Sequence, residues 1–106
     1  MNWRSWAYTF GCDLPLEDVC RILNEATPSR WWHHDDSAWY TEYLSCRPTP
    51  DTRIRIHNLD ESDAKGTLFS AQLDAEDDKR AETDAAFRKA LALIAIRDLR
   101  PSEIYD

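Results

Sequence analysis

The stretch TRIRIHNL, residues 52–59, alternates apolar and polar side chains with a period of two. In an extended strand the two isoleucines point to one side, and Arg53, Arg55 and His57 point to the other. A half-apolar strand of this kind is typical of an antiparallel sheet that is covered by other elements on one face only. The stretch therefore predicts such a sheet, and its second face either contacts a partner or simply faces water.

Three further stretches predict strands around this one. Residues 3–10 carry aromatic side chains on one face at a period of two, and Gly11 and Cys12 are expected to end that strand. Residues 38–47 are rich in aromatic and β-branched types, and residues 67–73 follow a polar loop over 60–66. Turn residues separate the later strands at distances short enough for antiparallel hairpins.

Two stretches predict helices. Leu16 to Ala26 has an amphipathic spacing, with Asp13 as a candidate cap and Pro15 in the first turn. The second helix is expected over residues 75–99, capped by Asp74 and closed by Pro101. Its apolar stripe consists of Phe87, Ala90, Leu91 and Ile94.

The predicted order is thus β-α-β-β-β-α. This order predicts an α+β fold, a two-layer sandwich in which an antiparallel sheet carries both helices on one face. The length of 106 residues fits a single domain, 1–106. The absence of a long apolar run and of a leader-like start predicts a cytoplasmic protein without a membrane segment.

The net charge of −7 disfavours direct binding to nucleic acid or to an anionic membrane. Much of this charge lies in residues 60–84, which is typical of a solvated face or of a surface that meets a basic partner. The candidate acids for such a contact are Asp60, Glu61, Asp63, Asp74, Glu76, Asp77 and Asp78.

The segment SRWWHHDDSAWY, residues 29–40, concentrates tryptophan, histidine and aspartate. Adjacent histidines do not aim easily at one metal ion, and the segment has no metal-binding spacing, so no metal or cofactor is expected. Trp31, Trp32, His33 and His34 instead form a candidate aromatic anchor for a partner, although both tryptophans could equally be buried. We expect His33 to Asp36 to lie in a polar loop in which Asp36 or Ser37 ends a turn.

Enzyme chemistry is a weaker alternative. A small hydrolase would use His33, His34 or His57, but no nucleophile motif or phosphate loop accompanies them. The three cysteines cannot all pair and are expected to be reduced. Cys12 alone, just before a helix, is a candidate for a reactive thiol.

The segment AETDAAFRKALAL, residues 81–93, resembles the alanine-rich ending of the small phage "ABA sandwich" proteins, which follows a tryptophan-containing sheet. That resemblance covers a quarter to a half of the chain and implies a phage or prophage origin. It carries over no functional residue, because the family has no motif of known chemistry.

Small size, acidity and this resemblance together predict a non-enzymatic inhibitor. The expected partner is a basic protein surface, for example in a nuclease or a CRISPR effector complex, which the acids would steer onto and the aromatics would hold. An immunity protein that neutralises a toxin nuclease has the same physical features and remains an alternative.

Overall fold

The computed structural model of the chain describes residues 3–27, 29–36, 41–49, 51–63 and 66–102. Two α-helices and a six-stranded sheet are formed. The elements in chain order are β1 (Trp3–Cys12), α1 (Leu16–Ala26), β2 (Trp31–Asp36), β3 (Thr41–Cys46), β4 (Thr52–Asp63), β5 (Gly66–Glu76), α2 (Arg80–Leu91) and β6 (Ile96–Ser102). A single 3₁₀ turn, Asp77–Lys79, leads into α2.

The sheet is antiparallel throughout, with the strand order β2-β3-β4-β5-β1-β6. The predicted α+β class is therefore confirmed. The predicted element order is not, because the described chain has six strands where four were expected.

The hydrophobic core lies between the helices and one face of the sheet, which we call the covered face. Both helices contribute side chains to the same core cluster, including Leu23 from α1 and Phe87 from α2. Phe10 and Phe69 lie opposite each other in the β1–β5 register, and their ring centroids are 5.8 Å apart. The isoleucines of the TRIRIHNL stretch, Ile54 and Ile56, are buried in this layer as their spacing predicts.

The first strand does not end at Gly11. It continues through Cys12, which is fully buried in the core. A Cβ at Gly11 would lie 2.7 Å from the Arg97 guanidinium of the neighbouring β6, so a larger residue at this position would require that flexible side chain to move. Asp13, the expected helix cap, pairs instead with Arg97 at 2.9 Å, and Pro15 is the residue that caps α1.

The second helix is shorter than predicted at both ends. Asp74 does not cap it, because Asp74 and Ala75 are still in β5, hydrogen-bonded in register with β1 and β4. After Leu91 the chain turns, and residues 96–102 form the edge strand β6 rather than more helix. Asp98 within this strand has a positive φ of 52°, a conformation that is incompatible with a continuing helix.

The start of the aromatic segment is also a strand rather than the expected loop. Residues Trp31–Asp36 pair along their whole length with β3. Residues 37–40, which include Trp39 and Tyr40, lie outside the described residues, and so does the beginning of the strand predicted over 38–47. The polar loop predicted over 60–66 is largely an extension of the β4–β5 hairpin, with a register shift between Asn58 and Ser62.

A polar cluster holds α2 against β1. Asp84 accepts hydrogen bonds from Trp6 Nε1 at 2.9 Å, from the Tyr8 hydroxyl, and from Arg88 Nε at 2.9 Å. The Tyr8 ring also stacks on Phe87, with 5.6 Å between the centroids. The ion pair Asp84–Arg88, four residues apart on α2, thus also anchors the helix to the sheet.

The three cysteines are free and buried. Burial raises the pKa of the Cys46 thiol to about 11, and burial likewise raises the pKa of Cys20. Cys12 is fully buried, so a reagent in solvent does not reach the thiol that the sequence singled out. Among the described residues, no helix is long and apolar enough to cross a membrane.

Candidate functional site

The second face of the sheet, which we call the uncovered face, carries a concentrated set of aromatic and cationic side chains. Strand register fixes its composition, because residues directly opposite one another point to the same side. One row across the sheet consists of His34, Tyr43, His57, Ser70 and Thr9. The adjacent row consists of Trp32, Ser45, Arg55, Gln72 and Ala7.

Three rings in the first row stack across three strands. His34 and Tyr43 have centroids 4.4 Å apart with 12° between their planes, and Tyr43 and His57 are 5.1 Å apart at 22°. His34 Nε2 also lies 2.9 Å from the Ser45 hydroxyl. Mutual stacking fixes the three rings in one orientation, so this part of the face is preorganised rather than mobile.

A charged cluster centred on Asp74 lies beside the rings. Arg53 donates two hydrogen bonds to Asp74 Oδ2, at 3.3 and 3.2 Å, and an Arg55 nitrogen lies 3.8 Å from the same oxygen. Ser5 and Gln72 donate to Oδ1 at 2.6 and 3.3 Å. Burial alone would raise the pKa of Asp74, but these hydrogen bonds and the Arg53 charge outweigh burial and lower that pKa.

Arg55 is incompletely paired. Its Nε is buried and has no acceptor among the described residues, although a buried polar atom normally has one. Burial lowers the pKa of the neighbouring His57, and the positive charge of Arg55 lowers it further, so the imidazole is neutral at neutral pH. A buried arginine nitrogen without an acceptor in the described residues therefore lies next to a neutral ring.

Exposed tryptophans lie at two places on this face. Trp32 on β2 is 54% exposed, and the Arg30 guanidinium lies over its ring at 4.4 Å from the centroid. Trp3 on β1 is also 54% exposed. With Arg47, Arg53 and Asp74, Trp3 lines a shallow cavity of about 450 Å³.

The predicted aromatic anchor is divided between the two faces. Because residues alternate along β2, Trp31 and His33 point to the covered side, whereas Trp32 and His34 point to the uncovered side. Trp31 is 4% exposed and belongs to the core, so it is not available to a partner. His33 faces Glu42, with 3.5 Å between the imidazole Nε2 and the carboxylate.

The predicted acidic surface is likewise not one patch. Asp74 is buried and paired, whereas Asp77 is exposed and bonds to Arg4 at 3.0 Å. Glu76 is half-buried and Asp78 is exposed. Asp60, Glu61 and Asp63 belong to the far end of β4, and their side chains lie outside what the structure describes.

The β4–β5 hairpin separates these two groups of acids. Asp74 lies opposite Arg53 in the register, and Asp60 follows Arg53 by seven positions along β4. At about 3.3 Å per residue the separation is roughly 23 Å. The two groups therefore do not form one continuous acidic surface.

No group of three metal-ligating side chains is brought together within the described part of the chain. Among the histidines named for catalysis, His34 and His57 share the uncovered face and His33 does not. The contact of His34 with Ser45 places an imidazole nitrogen next to a hydroxyl, as in a nucleophile–base pair.

The sequence predicted an open sheet face that carries Arg53, Arg55, His57 and one side of residues 39–46, but Trp32 and His34 were not assigned to that face. Tyr43 and Ser45 lie two residues apart in a β-prone stretch, as do the histidine and arginine opposite them. Trp3 was assigned to a strand without a role. Recognising the site required the strand order, which places β2, β3 and β4 side by side.

No protein-family model matches the chain, and no similar curated protein or solved structure is found.

Proposed function

We propose that this chain is a non-enzymatic inhibitor that binds a protein partner through the uncovered face of its sheet. One observation carries the proposal: an exposed Trp32, flanked by Arg30, adjoins a prestacked row of His34, Tyr43 and His57. Tryptophan, tyrosine and arginine are the residue types that dominate binding energy at protein interfaces. Because the stacked rings are already fixed, less side-chain conformational entropy is lost when a partner binds.

The charge of the whole chain supports a basic partner. A net charge of −7 creates a long-range field that speeds encounter with a positively charged protein, whatever the local contacts are. The exposed Asp78 and the acids of the β4–β5 hairpin would contribute to steering. Asp74 would not, since its charge is already neutralised by Arg53 and Arg55.

At a finer level, we propose a phage-encoded antagonist of a nucleic-acid-binding defence system, similar in class to anti-CRISPR proteins. Its support is the acidity and the resemblance of residues 81–93 to phage sandwich proteins. An immunity protein that blocks a toxin nuclease would use the same surface against the same kind of basic partner.

Trp32→Ala is the variant that tests this proposal. The tagged chain is used to capture partners from a bacterial lysate at low salt, and affinity for the recovered protein is then measured by calorimetry. Loss of a central aromatic anchor costs about 2 kcal/mol or more, so Trp32→Ala is expected to weaken binding about thirtyfold. Affinity is also expected to fall steeply with salt.

Leu93→Ala is the matched control. Leu93 is the third large hydrophobic side chain exposed in the described residues, and it follows α2, away from the uncovered face. Its replacement is expected to leave affinity unchanged. If Trp32→Ala binds the partner as tightly as the unmodified chain, the uncovered face is not the docking surface. If the affinity does not change with salt, the acidic charge does not steer the chain to its partner.

A small hydrolase is the second candidate function, supported by the 2.9 Å contact between His34 Nε2 and Ser45 Oγ. In that function His34 would take the hydroxyl proton as Ser45 attacks an ester carbonyl, and the cation of Arg55, opposite Ser45 in the register, would stabilise the oxyanion. The expected result is turnover of p-nitrophenyl butyrate that Ser45→Ala reduces at least a hundredfold. Identical rates with and without Ser45 would exclude it.

A further inference from the structure

A second cavity lies on the covered side, away from the uncovered face. It has a volume of about 350 Å³ and lies among the end of α1, one side of α2, and strands β2 to β4. Its wall is mainly apolar and includes Trp31, Cys46, Ala86 and Leu93. A volume of this size falls in the range of small-molecule sites in proteins.

Trp31, which lines this cavity, carries an unsatisfied donor. Its backbone is fixed by the Asn24 side chain, which accepts from Trp31 N at 2.7 Å and donates to Trp31 O at 3.0 Å. Its indole Nε1–H, however, is buried and has no acceptor among the described residues. A buried N–H without an acceptor is unfavourable, so a ligand that supplies an acceptor gains about tenfold in affinity.

The charge around the cavity favours an anion. Lys89 is the one charged residue among the described residues of the wall, and it forms no ion pair within the described part of the chain. Cys46 adds no negative charge, because burial raises the pKa of its thiol to about 11. The chain has 20 acidic residues, yet the described wall of this cavity carries only a positive charge. The cavity therefore favours an anionic ligand over a cationic one.

We infer that this cavity binds a small amphiphilic monocarboxylate. Its apolar body would replace water against the aliphatic wall, one carboxylate oxygen would accept the Trp31 indole hydrogen bond, and Lys89 would offset its charge. This site lies apart from the docking surface proposed above, so either can fail without the other.

Octanoate is the probe for the test. The ¹⁵N-labelled chain is titrated with octanoate, and the indole N–H resonance of Trp31 is identified by its loss in Trp31→Phe. We expect a saturable shift of that resonance. Trp31→Phe keeps the ring and removes the donor, and is expected to weaken octanoate binding about tenfold in calorimetry.

Three comparisons make the test specific. Trp32→Phe changes an exposed indole outside the cavity and is expected to leave the octanoate affinity unchanged. Ala86→Leu changes an exposed helical position and fills the cavity entrance, so it should abolish binding while the fold is kept. Octylamine, with the same chain and the opposite charge, should bind at least tenfold more weakly.

A parallel titration with 1-naphthoate distinguishes an aromatic body from an alkyl chain by its relative affinity. The inference is overturned if octanoate produces no saturable shift of the Trp31 resonance. It is also overturned if Trp31→Phe binds octanoate as tightly as the unmodified chain, or if octylamine binds equally well.

Discussion

Asp74→Ala is expected to lower the free energy of unfolding by about 3 kcal/mol. Asp74 is 8% exposed and receives hydrogen bonds from Ser5, Arg53 and Gln72. Removing it leaves Arg53 and Arg55 facing each other without the shared carboxylate. Breaking a buried pair by deleting one partner costs about 3 to 5 kcal/mol, and the lower end applies because both arginines keep partial access to water. Urea denaturation followed by circular dichroism measures the change.

Asp77→Ala is the matched control for this variant. Asp77 also bonds an arginine at 3.0 Å, but both partners are more than half exposed. An exposed pair of this kind contributes about 0 to 1 kcal/mol. If the Asp74 and Asp77 variants lose equal stability, Asp74 is not the organising charge of the uncovered face.

Asp84→Ala is expected to destabilise the fold by about 2 to 3 kcal/mol. The change removes the acceptor that Trp6 Nε1 and the Tyr8 hydroxyl share, and leaves the Arg88–Tyr8 hydrogen bond as the remaining polar contact among these side chains of β1 and α2. Hydrogen bonds to a charged group contribute about 1.5 to 3 kcal/mol, and bonds to one shared carboxylate are not additive. Glu82→Ala, on the same helix and exposed, is expected to change stability by less than about 0.5 kcal/mol.

The same carboxylate predicts a dependence of stability on pH. Burial would raise the pKa of Asp84, but hydrogen bonds from Tyr8, Trp6 and Arg88 outweigh burial and lower it. A lowered folded-state pKa contributes stability above the unfolded value of about 3.9, and that stability is lost as the pH falls through the folded value. Asp84→Asn should therefore show a shallower loss of stability between about pH 5 and pH 2. If the free energy of unfolding of Asp84→Asn falls with acid as steeply as that of the unmodified chain, the fold does not hold Asp84 in its charged form.

The sequence was sufficient for the fold class because its periodicities are local. Ile54 and Ile56 alternate with polar residues, and Leu16 to Leu23 follow a helical spacing, so each stretch identifies its own apolar face. The apolar face of α2 was also correct, since Phe87 and Ala90 are buried as expected.

The strands that were missed lie at the two edges of the sheet. An edge strand is half-solvated and pairs on one side only, so WWHHDD in β2 and IRDLRPS in β6 lack the apolar alternation of a central strand. Residues after Leu91 also continue the alanine- and leucine-rich composition of α2. Strand pairing over long distances, and not local propensity, determines these two segments.

The candidate site was predicted only in part for a related reason. Histidine, tyrosine and arginine were expected on an open face, but Trp32 and Trp31 were treated as one anchor. Their separation follows once β2 is a strand, because neighbouring residues then point to opposite sides. Asp74 was misassigned as a helix cap because no local signal distinguishes a cap from a carboxylate paired across strands.

The position of β1 in the sheet has a consequence for how the chain folds during synthesis. The first strand, Trp3–Cys12, has neighbours on both sides that are made much later, Gly66–Glu76 and Ile96–Ser102. The aromatic side chains of β1 therefore stay unpaired until residues 66–102 have been synthesised. Contacts at such sequence separations slow folding to roughly milliseconds to seconds.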